Sequence, residues 1–98
     1  MSGSTRSSQD LDMRRRRILF RAWHRGTREM DLIMGGFCDA KISELTETEI
    51  DEFEILIDLP DDDLYRWVSG EAEPPPAADT PLFRKMRDFH SHTRPLFS

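Results

Sequence analysis

Apolar side chains recur at helical spacing in the first half of the chain. Between residues 11 and 24, leucine, isoleucine, alanine and tryptophan are separated mostly by three, four or seven positions. The next segment has the strongest pattern, because its apolar residues repeat at intervals of three, four, seven and eight: Met30, Ile33, Met34, Phe37 and Cys38. One face of an α-helix presents side chains at this spacing. We therefore predict two consecutive amphipathic helices.

Capping signals place three further helices. Thr46 followed by Glu49 is the pattern of a capping box, which predicts the start of a third helix. Pro60 ends that helix, and the three aspartates after it suit the positive end of a fourth. Thr80-Pro81 predicts the start of a fifth helix. Since no segment alternates with a β period, the predicted fold class is all-α, a small bundle of about five helices.

Composition divides the chain into four segments. Serine is frequent before residue 11, and Pro74-Pro75-Pro76 interrupts the helical patterns. We predict a disordered arm over 1–10, a helical bundle over 11–70, a proline-rich linker over 71–80, and a C-terminal helix with its tail over 81–98. The pattern leaves open whether the last helix folds back onto the bundle.

Two adjacent glycines lie inside the second predicted helix. Gly35-Gly36 destabilises that helix by about 2 kcal/mol relative to two alanines. Glycines are retained in a helix where the helix packs closely on a neighbour. We therefore expect this stretch to lie against a neighbouring backbone.

Size and composition exclude several classes of protein. The chain has 98 residues and one cysteine, and it contains no apolar run long enough to span a membrane. His90 and His92 do not share a helix face, and no phosphate-binding loop or nucleophile motif is present. We therefore predict no enzymatic activity, no metal site and no membrane insertion.

Charge is distributed unevenly along the chain. Residues 1–29 contain eight arginines and three acidic residues, so their net charge is +5. Residues 30–98 contain six basic and sixteen acidic residues, so their net charge is −10. This division suggests either a charged partner or two faces that complement each other within the fold.

One local cluster, residues 23–29, joins the first two predicted helices. Gly26 permits a tight turn, and Gly26 or Thr27 is the N-cap of the second helix. Glu29 then falls in the first turn, where a carboxylate is favourable, and it can pair with Arg25 four residues earlier. Caps and helix pairing alone account for these residue types.

The same cluster carries a family resemblance. Arg25-Gly26-x-x-Glu29 is followed by Asp31, Leu45-Thr46, Glu49 and the segment Pro60-Asp61-Asp62-Asp63-Leu64-Tyr65-x-Trp67. Together, over about residues 14–70, these motifs resemble the succinate dehydrogenase flavinylation factor family, also called succinate dehydrogenase assembly factor 2.

The resemblance implies a helical protein that binds the flavoprotein subunit of succinate dehydrogenase, or of fumarate reductase in some bacteria. It implies that FAD becomes covalently attached to that partner, while this chain binds no cofactor stably. The partner-binding residues predicted on this basis are Arg25, Gly26, Glu29, Asp31 and Arg17. We expect a monomer in the cytoplasm, with the mitochondrial matrix as the alternative compartment.

Two other functions compete with this one. The basic run Arg14–Arg17 suits a nucleic-acid-binding or antitoxin-like regulatory module, although the −10 charge of the remaining chain would repel nucleic acid. Because of this charge, and because no recognition-helix pattern is present, we predict no nucleic-acid partner. A general helical adaptor with no flavoprotein partner is the third interpretation.

Overall fold

A computed structural model describes residues 11–92, with side chains to residue 90, and folds them into five α-helices. The helices are α1 (Met13–Trp23), α2 (Arg28–Lys41), α3 (Glu47–Leu56), α4 (Asp61–Ser69) and α5 (Pro81–His92). A short 3-10 turn, Ile42–Glu44, follows α2. The all-α prediction is confirmed, since residues 11–92 contain no strand. None of these helices is long and apolar enough to cross a membrane. The predicted disordered arm over 1–10 lies outside the described residues.

Local chemistry sets the helix ends where the sequence predicts them. In the capping box of α3, the Thr46 hydroxyl accepts a hydrogen bond from the Glu49 amide, and the Glu49 carboxylate accepts one from the Thr46 amide. At the start of α5, the Thr80 hydroxyl accepts from the Phe83 amide at 3.2 Å. Gly70 ends α4 with a φ of +86°, a left-handed conformation that glycine adopts without strain.

The hydrophobic core is built from the inner faces of all five helices. Phe37 of α2 and Phe53 of α3 are fully buried, and their ring centroids are 6.0 Å apart. Helix α5 packs against this pair, since the rings of Phe89 and Phe37 meet edge to face with centroids 5.7 Å apart, and Leu82, Phe83 and Met86 are each 0% exposed. The C-terminal helix thus packs back onto the bundle, a point that the sequence pattern left open.

Charge complementarity joins α1 to α3. The Arg14 guanidinium donates two hydrogen bonds to Glu54, at 2.9 and 2.8 Å, and Arg21 donates to Asp58 at 2.6 Å. Glu47 and Asp51 also pair with Arg14, so the acidic face of α3 follows α1. The hydrogen bonds from Arg14 hold the pKa of Glu54 below its usual range. Much of the uneven charge therefore forms complementary faces within the fold, which is one of the two interpretations that the sequence offered.

Glu49 predicts how stability depends on pH. Its carboxylate forms an ion pair with Lys85 and accepts from the Thr46 amide, and both contacts lower its pKa. A lowered carboxyl pKa contributes stability above the unfolded value near 4.5 and loses it as pH falls through the folded value. We expect Glu49→Gln, which keeps the amide contact, to lower the free energy of unfolding by about 1 kcal/mol at pH 7. Urea titrations at pH 7 and pH 3 test this: the difference in the free energy of unfolding between the two proteins should narrow at pH 3, and a difference unchanged with pH contradicts the assignment.

Candidate functional site

The turn between α1 and α2 is held by glycine geometry and two side-chain acceptors. Gly26 has a φ of +110°, which confirms its predicted role in the turn, and the space where a Cβ would lie is open. Thr27 is the N-cap of α2, and its hydroxyl accepts from the Met30 amide at 3.3 Å. The Asp31 carboxylate accepts from the Arg25 amide at 2.7 Å. Asp31 therefore fixes the entrance to the turn.

Arg25 joins this turn to the turn between α3 and α4. Its Nε–H donates to Asp61 at 2.9 Å and one Nη donates to the Leu59 carbonyl at 3.0 Å, while the other Nη donates to the Ile57 carbonyl. Only 9% of the Arg25 side chain is exposed. The guanidinium that we predict to meet a partner is thus directed at carbonyls and a carboxylate of its own chain.

Glu29 has the opposite environment. It lies in the first turn of α2 and is exposed, with no hydrogen bond or ion pair to any residue in the described part of the chain. The Arg25–Glu29 pair expected from the sequence is not formed, because Arg25 precedes α2 and pairs with Asp61 instead. Glu29 lines an open groove with Tyr65 and Arg66 of α4.

Arg17 stands apart from the other four predicted site residues. It is exposed in the middle of α1, where its charge adds a minor lowering of the pKa of Glu54 to the larger effect of Arg14. Its neighbour Arg15 donates to the carbonyls of Ile42 at 3.2 Å and Leu45 at 2.8 Å. The Arg16 guanidinium donates to the Leu11 carbonyl at 3.0 Å, so three guanidinium groups of the run that suggested nucleic-acid binding, those of Arg14, Arg15 and Arg16, are engaged within the fold.

Asp61 is the site residue that sequence reasoning missed. The sequence predicts a favourable charge at the start of α4 and a place in the family-like segment, but not that Asp61 receives the Arg25 guanidinium. The Arg25–Asp61 bridge separates two grooves, because Asp61 lines both. One groove contains Glu29, and the other contains Phe20 and His24 of α1.

The described histidines serve structural contacts. His24 is exposed, and its Nδ1–H donates to the Phe20 carbonyl at 2.6 Å. His90 is buried in α5, where Nε2–H donates to the Ile33 carbonyl at 2.6 Å. No group of three or more histidine, cysteine, aspartate or glutamate side chains in the described segment is arranged to hold a metal ion.

Comparison with known proteins identifies relatives over most of the chain. The model of the family described as "Flavinator of succinate dehydrogenase" matches residues 16–90. A protein of Acetobacter pasteurianus named FAD assembly factor SdhE is 39% identical over 85 residues, which cover 87% of this chain and 78% of that protein. No solved structure matches the chain significantly.

Mitochondrial relatives extend the comparison. Succinate dehydrogenase assembly factor 2 of Dictyostelium discoideum is 30% identical over 87 residues, which cover 89% of this chain and 61% of that protein. Its namesake in Scheffersomyces stipitis is 32% identical over 76% of this chain and 50% of its own length. This chain thus spans between half and two thirds of these two mitochondrial relatives. With the family model matching 16–90, the chain belongs to the flavinator of succinate dehydrogenase family.

Proposed function

We propose that this protein binds the flavoprotein subunit of succinate dehydrogenase and promotes covalent attachment of FAD to it. Family membership and the relative named FAD assembly factor support this function. The flavin and the bond-forming groups belong to the partner, and this chain acts as a non-catalytic assembly factor that supplies a binding surface. We propose the cytoplasm as its compartment, with the mitochondrial matrix as the alternative, because the relatives include bacterial and mitochondrial proteins. The monomeric state and the absence of a nucleic-acid partner stay predictions.

The proposed contact surface is assigned from the exposed carboxylate of Glu29. Within the Arg25–Asp31 motif, the charges of Arg25 and Asp31 are used inside the chain. Glu29 has no such partner among residues 11–92, so its carboxylate is available to accept hydrogen bonds from donors of another protein. Gly26 lies beside open space, and the missing side chain allows a partner backbone to approach closely. Arg25 and Asp31 then position the turn that Gly26 and Glu29 present.

Replacing Glu29 with glutamine tests this surface. We expect Glu29→Gln to reduce covalent flavin on a co-expressed flavoprotein subunit at least tenfold, because a neutral amide loses a charge-assisted contact. Helical content should be unchanged, and the free energy of unfolding should fall by no more than about 1 kcal/mol, since Glu29 is exposed and only its favourable charge at the start of α2 is lost. Flavin fluorescence of the flavoprotein band in a denaturing gel measures the effect.

Glu44→Gln is the matched control for this experiment. Glu44 is also exposed but lies in the 3-10 turn beyond the far end of α2, so its replacement should leave flavin attachment unchanged. Equal flavin attachment with Glu29→Gln and with the parent protein would exclude Glu29 as a contact. Gly26→Ala is a poorer probe, because the φ of +110° makes any side chain strain the turn itself.

A further inference from the structure

Phe20 is an exposed aromatic residue held in a fixed position. Three large hydrophobic side chains of the described part are exposed: Met13 by 68%, Phe20 by 63% and Ile55 by 61%. Phe20 alone among these three lines one of the two grooves beside the Arg25–Asp61 bridge. Its ring stacks on the His24 ring, with centroids 4.0 Å apart and planes inclined by 18°. The hydrogen bond from His24 Nδ1–H to the Phe20 carbonyl, 2.6 Å long, holds the stack in place.

The groove beside this stack is lined by apolar and charged side chains. Its apolar surface comes mainly from exposed Phe20 and half-buried Leu59, since Ile57 is only 1% exposed. Its two arginines are both paired within the chain, Arg21 with Asp58 at 2.6 Å and Arg25 with Asp61 at 2.7 Å. Because these charges are already compensated, the exposed Phe20 ring is the part of the groove that a partner can cover, and an apolar side chain suits that ring better than a charged one.

We propose that this Phe20–His24 groove receives an apolar side chain of the flavoprotein subunit and that Phe20 anchors the interface. The inference rests on the proposed function and extends its surface. The groove adjoins the Glu29 groove at the Arg25–Asp61 bridge, since Asp61 lines both, so a protein docked on Glu29 would meet Phe20 across the bridge. A ring already restrained by stacking loses little conformational entropy on binding, and buried aromatic side chains are frequent anchors of interfaces.

Binding measurements on surface variants test this anchor. Titration calorimetry of the 98-residue chain with the purified flavoprotein subunit should give a Kd for Phe20→Ala at least tenfold higher than for the parent protein. Met13→Ala and Ile55→Ala remove apolar side chains of similar exposure outside the groove, so each should change the Kd less than twofold. Circular dichroism should find the same helical content in all of these variants.

A variant of His24 provides a second test of the proposal. If His24 acts by holding Phe20, His24→Ala should raise the Kd about threefold, and the double variant Phe20→Ala/His24→Ala should bind as Phe20→Ala does. Unchanged affinity of Phe20→Ala, while Glu29→Gln binds more weakly, overturns this inference and leaves the proposed function standing. An equal loss for Met13→Ala and Ile55→Ala overturns it as well, because the effect would then not be specific to the groove. A parent protein that fails to bind the flavoprotein contradicts the proposed function, and this inference falls with it.

Discussion

Replacing Gly35 with alanine is expected to lower the free energy of unfolding by about 3 kcal/mol. A Cβ at this position would lie 2.3 Å from Cδ2 of Trp23 and 2.6 Å from its Cε2, well inside contact distance. The Trp23 ring is buried between α1 and α2, and its indole N–H donates to Asp39 at 3.3 Å. The ring therefore cannot move away without disturbing the packing of the two helices. A fall in Tm of at least 12 °C follows for a domain of about this size.

Gly36→Ala is the control that separates packing from helix propensity. A Cβ at residue 36 would approach nothing closer than His90 Cε1, at 4.0 Å. Because alanine favours a helix over glycine by about 1 kcal/mol, this variant should be as stable as the parent protein or more stable. Thermal and urea unfolding followed by circular dichroism measure both variants. Equal effects of the two substitutions would contradict the contact with Trp23.

The glycine pair illustrates what helical patterning predicts and what it leaves out. The pattern predicted close packing inside α2, and Gly35 does pack closely. The expected neighbour was wrong: it is the Trp23 side chain, not a backbone. Periodicity identifies the buried face of a helix, but it does not identify which atoms of the next helix lie opposite that face.

Short-range chemistry was the predictable part of the candidate site. Gly26, Thr27 and Glu29 act within a few residues of their own positions, so turn and capping rules place them correctly. The partner of Arg25 is 36 residues away, and no spacing rule connects it to Asp61. The pairing of α1 with α3 is more accessible from the sequence, because basic residues on α1 and acidic residues on α3 recur at helical spacing. Arg14 pairs with Glu54 of α3, and Arg21 pairs with Asp58, two residues beyond the end of α3.

The Arg25 contacts explain why this arginine serves the fold as well as the site. Its guanidinium satisfies two backbone carbonyls and one carboxylate at the turn that leads into α4. Carbonyls in such a turn have no helical donor, so the arginine supplies hydrogen bonds that the backbone there lacks. The same contacts hold Asp61, which lines both grooves, in position. A change at Arg25 is therefore expected to affect stability before it affects any contact with a partner.

We expect Arg25→Met, which keeps most of the side-chain volume, to lower the free energy of unfolding by about 3 kcal/mol, because it leaves Asp61 and two carbonyls without their donor. Arg21→Met is the matched control on α1. The Arg21–Asp58 pair is largely exposed, at 46% and 66%, so its loss should change stability by less than about 0.5 kcal/mol. Urea unfolding at pH 7 compares the two variants. If Arg25→Met is as stable as Arg21→Met, the bridge contributes little to the fold, and Arg25 is then free to turn its guanidinium toward the flavoprotein.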